Sequence, residues 1–280
     1  MSDQEQPRQP FPPLDTMCKN RFPFTLACPS FVYPAGYVDN VRHLAPFVDE
    51  IQLLFFESQS PESLPSQKLI RKLADLAARE RLTYNVHLPS DIYPGHPDPA
   101  ERRRAAHVAR KILECCEPLS PSTFTLHLNR NPEDLPAMSA ARWQECLADT
   151  LFWMLPSNTN HRIISVETLD YPFELVAPVI AESNLSVCMD MGHLMAHGVD
   201  ISAFYDNWKD RITIVHLHGV DGATDHLPLD RLSGHRMKTV LKILRSFSGV
   251  VSLEVYAYPA LNASLAHLCD EWEKGIFTHE

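Results

Sequence analysis

Eight short apolar runs recur along this chain, and a segment with helical spacing follows each of them. The runs are Phe24–Cys28, Glu50–Glu57, Leu82–Pro89, Thr123–Asn129, Arg162–Thr168, Ser186–Gly192, Ile212–Gly219 and Gly249–Tyr256. Between them, Ala105, Val108, Ala109, Ile112, Leu113 and Cys116 make one helical stripe, and Met237, Val240, Leu241, Leu244 and Phe247 make another. Alternation of strand and helix implies parallel strands joined by crossovers. Eight repeats are enough to close a barrel. The expected fold is α/β, a (β/α)8 TIM barrel, and the 280 residues accommodate the roughly 250 such a domain takes. A doubly wound open sheet is the competing arrangement, but no GxGxxG turn opens the chain to support it.

Residues 1–20 read as a disordered polar tail and 21–280 as one barrel domain. Met1 to Asp15 is polar and proline-rich without the apolar stretch of a signal peptide. No run approaches the ~20 apolar residues of a membrane span. The seven cysteines include no CxxC pair, so reduced thiols and a cytoplasmic location are expected. The net charge of −10 weighs against a nucleic-acid partner, which would need a basic face. Ser90 to Pro99 carries three prolines and reads as a stiff loop over the barrel mouth.

Side chains alternate along a strand, so every second residue points into the barrel. In the seventh run Ile212, Ile214, His216 and His218 share one face; Val215 and Leu217 share the other. The same alternation puts Glu57 after Ile51, Leu53 and Phe55, His87 after Thr83 and Asn85, and His127 after Thr125. It puts Glu167 after Ile163 and Ser165, and Glu254 after Val250 and Ser252. Asp190 ends the sixth run, with His193 just past the turn. Seven strands thus carry an ionisable residue at the end where barrel enzymes keep their active sites. Four carboxylates in one mouth, Glu57, Glu167, Asp190 and Glu254, require protons or cations to neutralise them. Interleaved imidazoles suit Zn, Mn, Fe or Co better than Mg or Ca. Two divalent ions would offset the four negative charges.

Each residue taken singly has a plainer reading. A lone histidine at a strand end is commonly a hydrogen-bonded core residue, and a lone glutamate there a loop ion pair. That reading must be repeated seven times to dispose of the whole set. Asp225-His226 follows the seventh run closely and reads equally as ligand or as loop. His107 falls off its helical stripe, and His96 sits in the proline-rich loop as an exposed residue or a substrate contact. There is no GxxxxGK[ST], GxSxG or HExxH, so nucleophilic serine or cysteine catalysis has no motif to stand on.

The ordered motifs Asn85-Val-His87-Leu-Pro, Thr125-Leu-His127-Leu, Val166-Glu167-Thr, Asp190-Met-Gly-His193, Val215-His216-Leu-His218 and Leu253-Glu254-Val resemble the xylose-isomerase-like barrels. That superfamily includes endonuclease IV and the ketose epimerases. The epimerase resemblance implies one metal held by Glu167, Asp190, His216 and Glu254. The endonuclease resemblance implies more: His87, His127 and Glu167 for one ion, the four-residue set for a second, and His193 with His226 for a third. The chain departs from that plan at Thr224, where the pattern has an aspartate; Asp225 or Asp221 is the candidate replacement.

A closer resemblance rests on Cys28-Pro-Ser-Phe-Val-Tyr-Pro-Ala-Gly-Tyr, Asn40-Val-Arg-His-Leu-Ala-Pro and Asp49-Glu-Ile-Gln-Leu-Leu-Phe-Phe-Glu57. These blocks are similar to the bacterial cobamide-remodelling phosphodiesterases. The resemblance implies hydrolysis of the nucleotide-loop phosphodiester of adenosylcobalamin or a related cobamide, giving cobinamide phosphate and an α-riboside. It implies catalytic roles for Glu167 and Glu254. Glu57 would orient water, act as general base or support a histidine. The roles of His218 and Asp225 stay open. Ketose isomerisation, a non-enzymatic corrinoid or metal binder, and cleavage at abasic sites in DNA are the alternatives.

Overall fold

The computed structural model describes residues 11–59, 64–130, 138–155 and 160–277. Eight parallel strands close into a barrel: β1 (Thr25–Pro29), β2 (Glu50–Leu54), β3 (Thr83–His87), β4 (Phe124–Leu126), β5 (Ile164–Glu167), β6 (Ser186–Asp190), β7 (Ile212–Leu217) and β10 (Val250–Leu253). Neighbours follow chain order, and β10 pairs back onto β1 through Thr25–Val250 and Ala27–Ser252. The eight expected runs are these eight strands; seven end one to three residues earlier than the apolar patterning suggested, and β1 ends one residue later. A short antiparallel hairpin, β8 (Gly219–Asp221) and β9 (Thr224–Leu227), stands apart from the barrel.

Helices fill the crossovers, and their starts follow from capping chemistry. Ser66 accepts from the Leu69 amide at the start of α2 (Gln67–Glu80). Asp98 caps α3 (Pro99–Cys116), whose first residue is a proline. Ser139 caps α4 (Ala140–Met154), and Ser233 caps α8 (Gly234–Leu244). The two stripes read from the sequence face inward: Ala105, Ala109, Ile112 and Cys116 are buried, as are Met237, Val240, Leu241 and Leu244. They pack on the outer strand faces, where Ile51, Leu53, Val86, Leu126, Val166, Val215, Leu217 and Val251 lie in one continuous core. Among the described residues no helix is long and apolar enough to cross a membrane.

The barrel interior is layered. At the N-terminal end of the strands, the buried Glu50 carboxylate accepts from Thr83, Asn85 and Ser122. Burial still pushes its pKa up, against those three donors. Ala27, Cys188, Ile214 and Val250 form a small apolar plug in the middle. The opposite end is the polar mouth.

Two expectations need correction. Residues 11–20 were assigned to a disordered tail, but Leu14 and Cys18 are buried. Phe11 stacks on Tyr33 at 4.9 Å, and the Tyr33 hydroxyl donates to the Pro12 carbonyl. Apolar residues spaced among prolines supply enough contact to fix this segment against the barrel. Residues 1–10 lie outside the described residues. The second correction concerns β2. Glu50 and Gln52, not Ile51 and Leu53, face the interior, and β2 ends at Leu54. Glu57 is exposed beyond the strand.

Candidate metal centre

Glu167, the last residue of β5, is 1% exposed and sits at the middle of the mouth. Its Oε2 lies 2.9 Å from His127 Nε2 and 3.2 Å from His87 Nε2. Its Oε1 lies 3.4 Å from His216 Nδ1. The Nδ1 of His87 lies 2.8 Å from the carbonyl oxygen of its neighbour Leu88, which fixes a proton there and turns Nε2 toward Glu167. One carboxylate therefore links the β3–β4 histidines to the residues of β6, β7 and β10.

Asp190 does two jobs at the end of β6. Its Oδ1 accepts from the His193 amide at 2.7 Å, capping the short helix α6 (Met191–Ala196). Its own amide donates to Thr168 Oγ1 at 2.9 Å. The carboxylate is thereby aimed, with Oδ2 3.5 Å from His193 Nδ1 and 3.9 Å from His216 Nδ1. Glu254, just past β10, places Oε1 3.2 Å from the same His216 nitrogen. Glu167, Asp190, His216 and Glu254 each offer a ligand atom within 4.8 Å of the others, as do His87, His127 and Glu167.

The third group depends on the hairpin. Gly222 has φ +59° at its turn, and β9 carries His226 back over the mouth. The His226 amide donates to His218 Nδ1 at 2.9 Å. That leaves the proton on His218 Nε2, 3.1 Å from Asp190 Oδ1. In this tautomer His218, buried and unassigned by the sequence, orients Asp190. His193 Nδ1 lies 3.1 Å from the Thr168 carbonyl, and His226 Nδ1 lies 3.0 Å from the Glu254 carbonyl. Both rings thus keep Nε2 for another partner. Asp225 Oδ2 stands 3.7 Å from His193 Nε2, beside the position of Thr224. His193, His218 and His226 form the third set of ligand atoms within 4.8 Å.

Electrostatics follow from this packing. Burial raises the pKa of Glu167, yet His127 and His216 outweigh it and hold the carboxyl well below the usual range. Burial acts likewise on Asp190, and His218 and His193 bring it down to about 2. Burial disfavours charge on His216, but Cys188, Glu254 and Glu167 lift it well above an ordinary imidazole. Asp190 and Glu167 raise His193 in the same way. Burial pushes the Cys188 thiol, beside His216, up to about 12.

The donor set fits a divalent cation on one observation in particular. Asp190 Oδ2 and His216 Nδ1 are fully buried and make no directed hydrogen bond, although carboxylate oxygens crowd the His216 nitrogen at 3.2 to 3.9 Å. Polar atoms buried at that density without hydrogen bonds need another partner. Mixed nitrogen and oxygen donors suit zinc and its first-row neighbours.

Sequence reasoning placed Glu57 in this cluster, and the structure does not bring it there. The β2 contribution is Gln52, which donates from Nε2 to Glu254 Oε1 at 2.9 Å and accepts Ser252 Oγ on Oε1 at 2.7 Å. Gln52 was legible as the alternate parity of the same strand. Tyr256 was also passed over: its hydroxyl donates to Glu254 Oε2 at 3.4 Å, and burial beside the carboxylates keeps it protonated.

Comparison with known proteins agrees with the barrel. No curated protein matches the chain by sequence. Among solved structures, a D-tagatose 3-epimerase-like protein superposes with TM-score 0.73 at 18% identity, covering 91% of this chain and 99% of its own. An AP endonuclease, family 2, from Brucella melitensis gives TM-score 0.62 at 14% identity, covering 88% and 98%. The IOLI protein, solved with a bound zinc atom, gives 0.66 at 14%, covering 90% and 96%. At these identities the likeness is one of fold. The profile of one family matches residues 48–275, most of the barrel, and the chain belongs to the xylose isomerase-like TIM barrel family.

Proposed function

We propose that this protein is a metal-dependent phosphodiesterase that opens the nucleotide loop of a cobamide, yielding cobinamide phosphate and an α-riboside. The observation that carries the hydrolase reading is the surplus of histidines. A four-ligand site needs only Glu167, Asp190, His216 and Glu254, yet two groups with histidines outside that set adjoin it, His87 and His127 with Glu167, and His193, His218 and His226. The cobamide part rests on the sequence blocks around Cys28–Tyr37 and Asp49–Glu57.

Bound divalent ions would supply hydroxide at neutral pH and offset the charge that develops on a phosphoryl group. His87, His127 and Glu167 would hold one ion, the four-residue set a second, and His193 and His226 with Asp225 a third. The protein groups have separate work. Glu167 stays ionised and spans the first two sets. His218 and Gln52 fix Asp190 and Glu254 in orientation. Tyr256 keeps its proton and can donate it as a hydrogen bond to a substrate oxygen at the rim.

The test is incubation with adenosylcobalamin and mass analysis of products, with and without a chelator, for wild type and Glu167→Gln. Cobinamide phosphate plus a riboside, lost on chelation and in the variant, is the expected result. Intact cobamide with metal present in the protein would overturn the reading. It would favour a second one, ketose epimerisation, for which Glu167 and Glu254, both within 3.4 Å of His216 Nδ1, would exchange the proton. Turnover of a ketose without His87 and His127 would establish that alternative.

A further inference from the structure

Large apolar side chains are rarely left in solvent beside a polar cluster without a use. Among the described residues five are exposed, and two of them, Phe31 (53%) and Phe56 (39%), touch each other at the mouth. Phe31 follows the end of β1 and Phe56 follows the end of β2. Their rings meet edge to face at 5.8 Å and 82°. Phe56 meets Tyr256 at 6.0 Å and 71°, and Tyr256 meets His226 at 5.1 Å. Since β2, β1, β10 and β7 are consecutive neighbours in the barrel, these four rings form one arc along the rim. The arc faces the side of the mouth held by His87 and His127 on β3 and β4. It is continuous with the metal centre, because the Tyr256 hydroxyl and the His226 ring both reach Glu254.

The geometry points to a binding ledge: Phe31, Phe56 and Tyr256 take a flat heteroaromatic ring carried by the substrate and set the distance of its scissile group from the metal centre. Edge-to-face pairs leave one ring face open beside another ring's edge, which is where a further planar ring stacks. The inner end of the arc is polar and half-buried, and the outer end is apolar and exposed. A ligand with a charged reacting group and a planar apolar group matches that gradient. A sugar alone would leave Phe31 and Phe56 in water.

The ledge takes its probes from the phosphodiesterase reading, and the experiment separates the two. KM and kcat are measured for wild type, Phe31→Ala, Phe56→Ala and Phe56→Trp with adenosylcobalamin, which carries a benzimidazole and an adenine, and with methylcobalamin, which lacks the adenine. Binding of free 5,6-dimethylbenzimidazole and of adenosine is measured directly on the same proteins. Each alanine variant is expected to raise KM about tenfold or more, with kcat within about twofold, while Phe56→Trp stays near wild type. A penalty with both corrinoids assigns the ring as the benzimidazole, and a penalty with adenosylcobalamin alone assigns the adenine. If neither corrinoid is hydrolysed, the phosphodiesterase reading fails. Binding of a free ring to wild type and its loss in Phe31→Ala would still support the ledge. KM and ring binding unchanged in both alanine variants would overturn it.

Discussion

The Gln52 side-chain amide donates to Glu254 Oε1 at 2.9 Å and stands 3.0 Å from His216 Nε2, so one neutral residue on β2 braces two members of the four-residue set. Ser252 anchors the other end of the amide. The amide donates from its nitrogen at this end and accepts with its oxygen at the other. Gln52→Met keeps the volume and removes both functions. We expect metal affinity or activity to fall about 10–100-fold, with little change in fold. Metal content by mass spectrometry alongside kcat checks this, and unchanged affinity and rate would show that the brace is dispensable.

The pH dependence of the metal-free protein follows from the raised imidazoles. His87, His193 and His216 all sit above the ordinary value because of Glu167, Asp190 and Glu254. A group raised on folding contributes stability that is complete below its unfolded pKa, near 6.5, and is lost as pH climbs through the folded value. Each unit of upward shift corresponds to about 1.4 kcal/mol. The chelated protein should therefore lose about 3–10 °C in Tm between pH 6.5 and 9.5. Cation binding requires neutral imidazoles, so metal affinity should rise over the same window. Parallel thermal scans with and without zinc distinguish the two; a flat profile for the chelated form would contradict the ion-pair assignment.

Gly192 is required by His218. A Cβ on Gly192 would lie 1.9 Å from His218 Cε1 and within 2.4 Å of both ring nitrogens. That ring is fully buried, with Nδ1 accepting from the His226 amide and Nε2 3.1 Å from Asp190 Oδ1, so it has little room to swing away. Gly192→Ala should cost about 1–3 kcal/mol in stability and release Asp190 from its partner. Denaturant unfolding measures the first effect, and lowered metal affinity reports the second. A variant as stable as wild type would mean that the α6 backbone shifts freely.

Cys18 and Cys269 bring their sulfurs to 2.8 Å, joining the N-terminal segment to α9 (Tyr258–Phe277). Both are buried free thiols. Exchange with a small disulfide such as oxidised glutathione would convert the two thiols to one protein disulfide and release two reduced molecules. The linked form should be more stable by about 3–5 kcal/mol, because the closed loop is long. Intact mass should fall by about 2 Da on oxidation, a standard consequence of losing two hydrogens, with Cys18→Ser blocking the change. Mixed disulfides at other cysteines, with this pair untouched, would refute the prediction.

Most of the mouth was legible because alternation along a strand is local. His87, His127, Glu167, His216 and Glu254 fall on the inward parity that their own strands display. β2 misled for a physical reason. Both of its parities end in plausible residues, and the polar Glu50 and Gln52 look solvent-facing until Thr83, Asn85, Ser122 and Ser252 are there to satisfy them. Those partners are 33 to 200 residues away, and no local pattern announces them. His226 and Asp225 were undecidable for a similar reason, since their place depends on how the β8–β9 hairpin folds back.

By itself the sequence determined the number of strands, their parallel order and the residue types at their ends, because each follows from short-range periodicity and the handedness of crossovers. Tertiary structure alone decided which parity of β2 turns inward, that Glu167 joins the histidines of β3 and β4 to those across the mouth, and that His218 serves Asp190. Barrel closure brings those atoms within hydrogen-bond distance, and burial there turns each unsatisfied nitrogen or oxygen into a cost that only a specific neighbour removes.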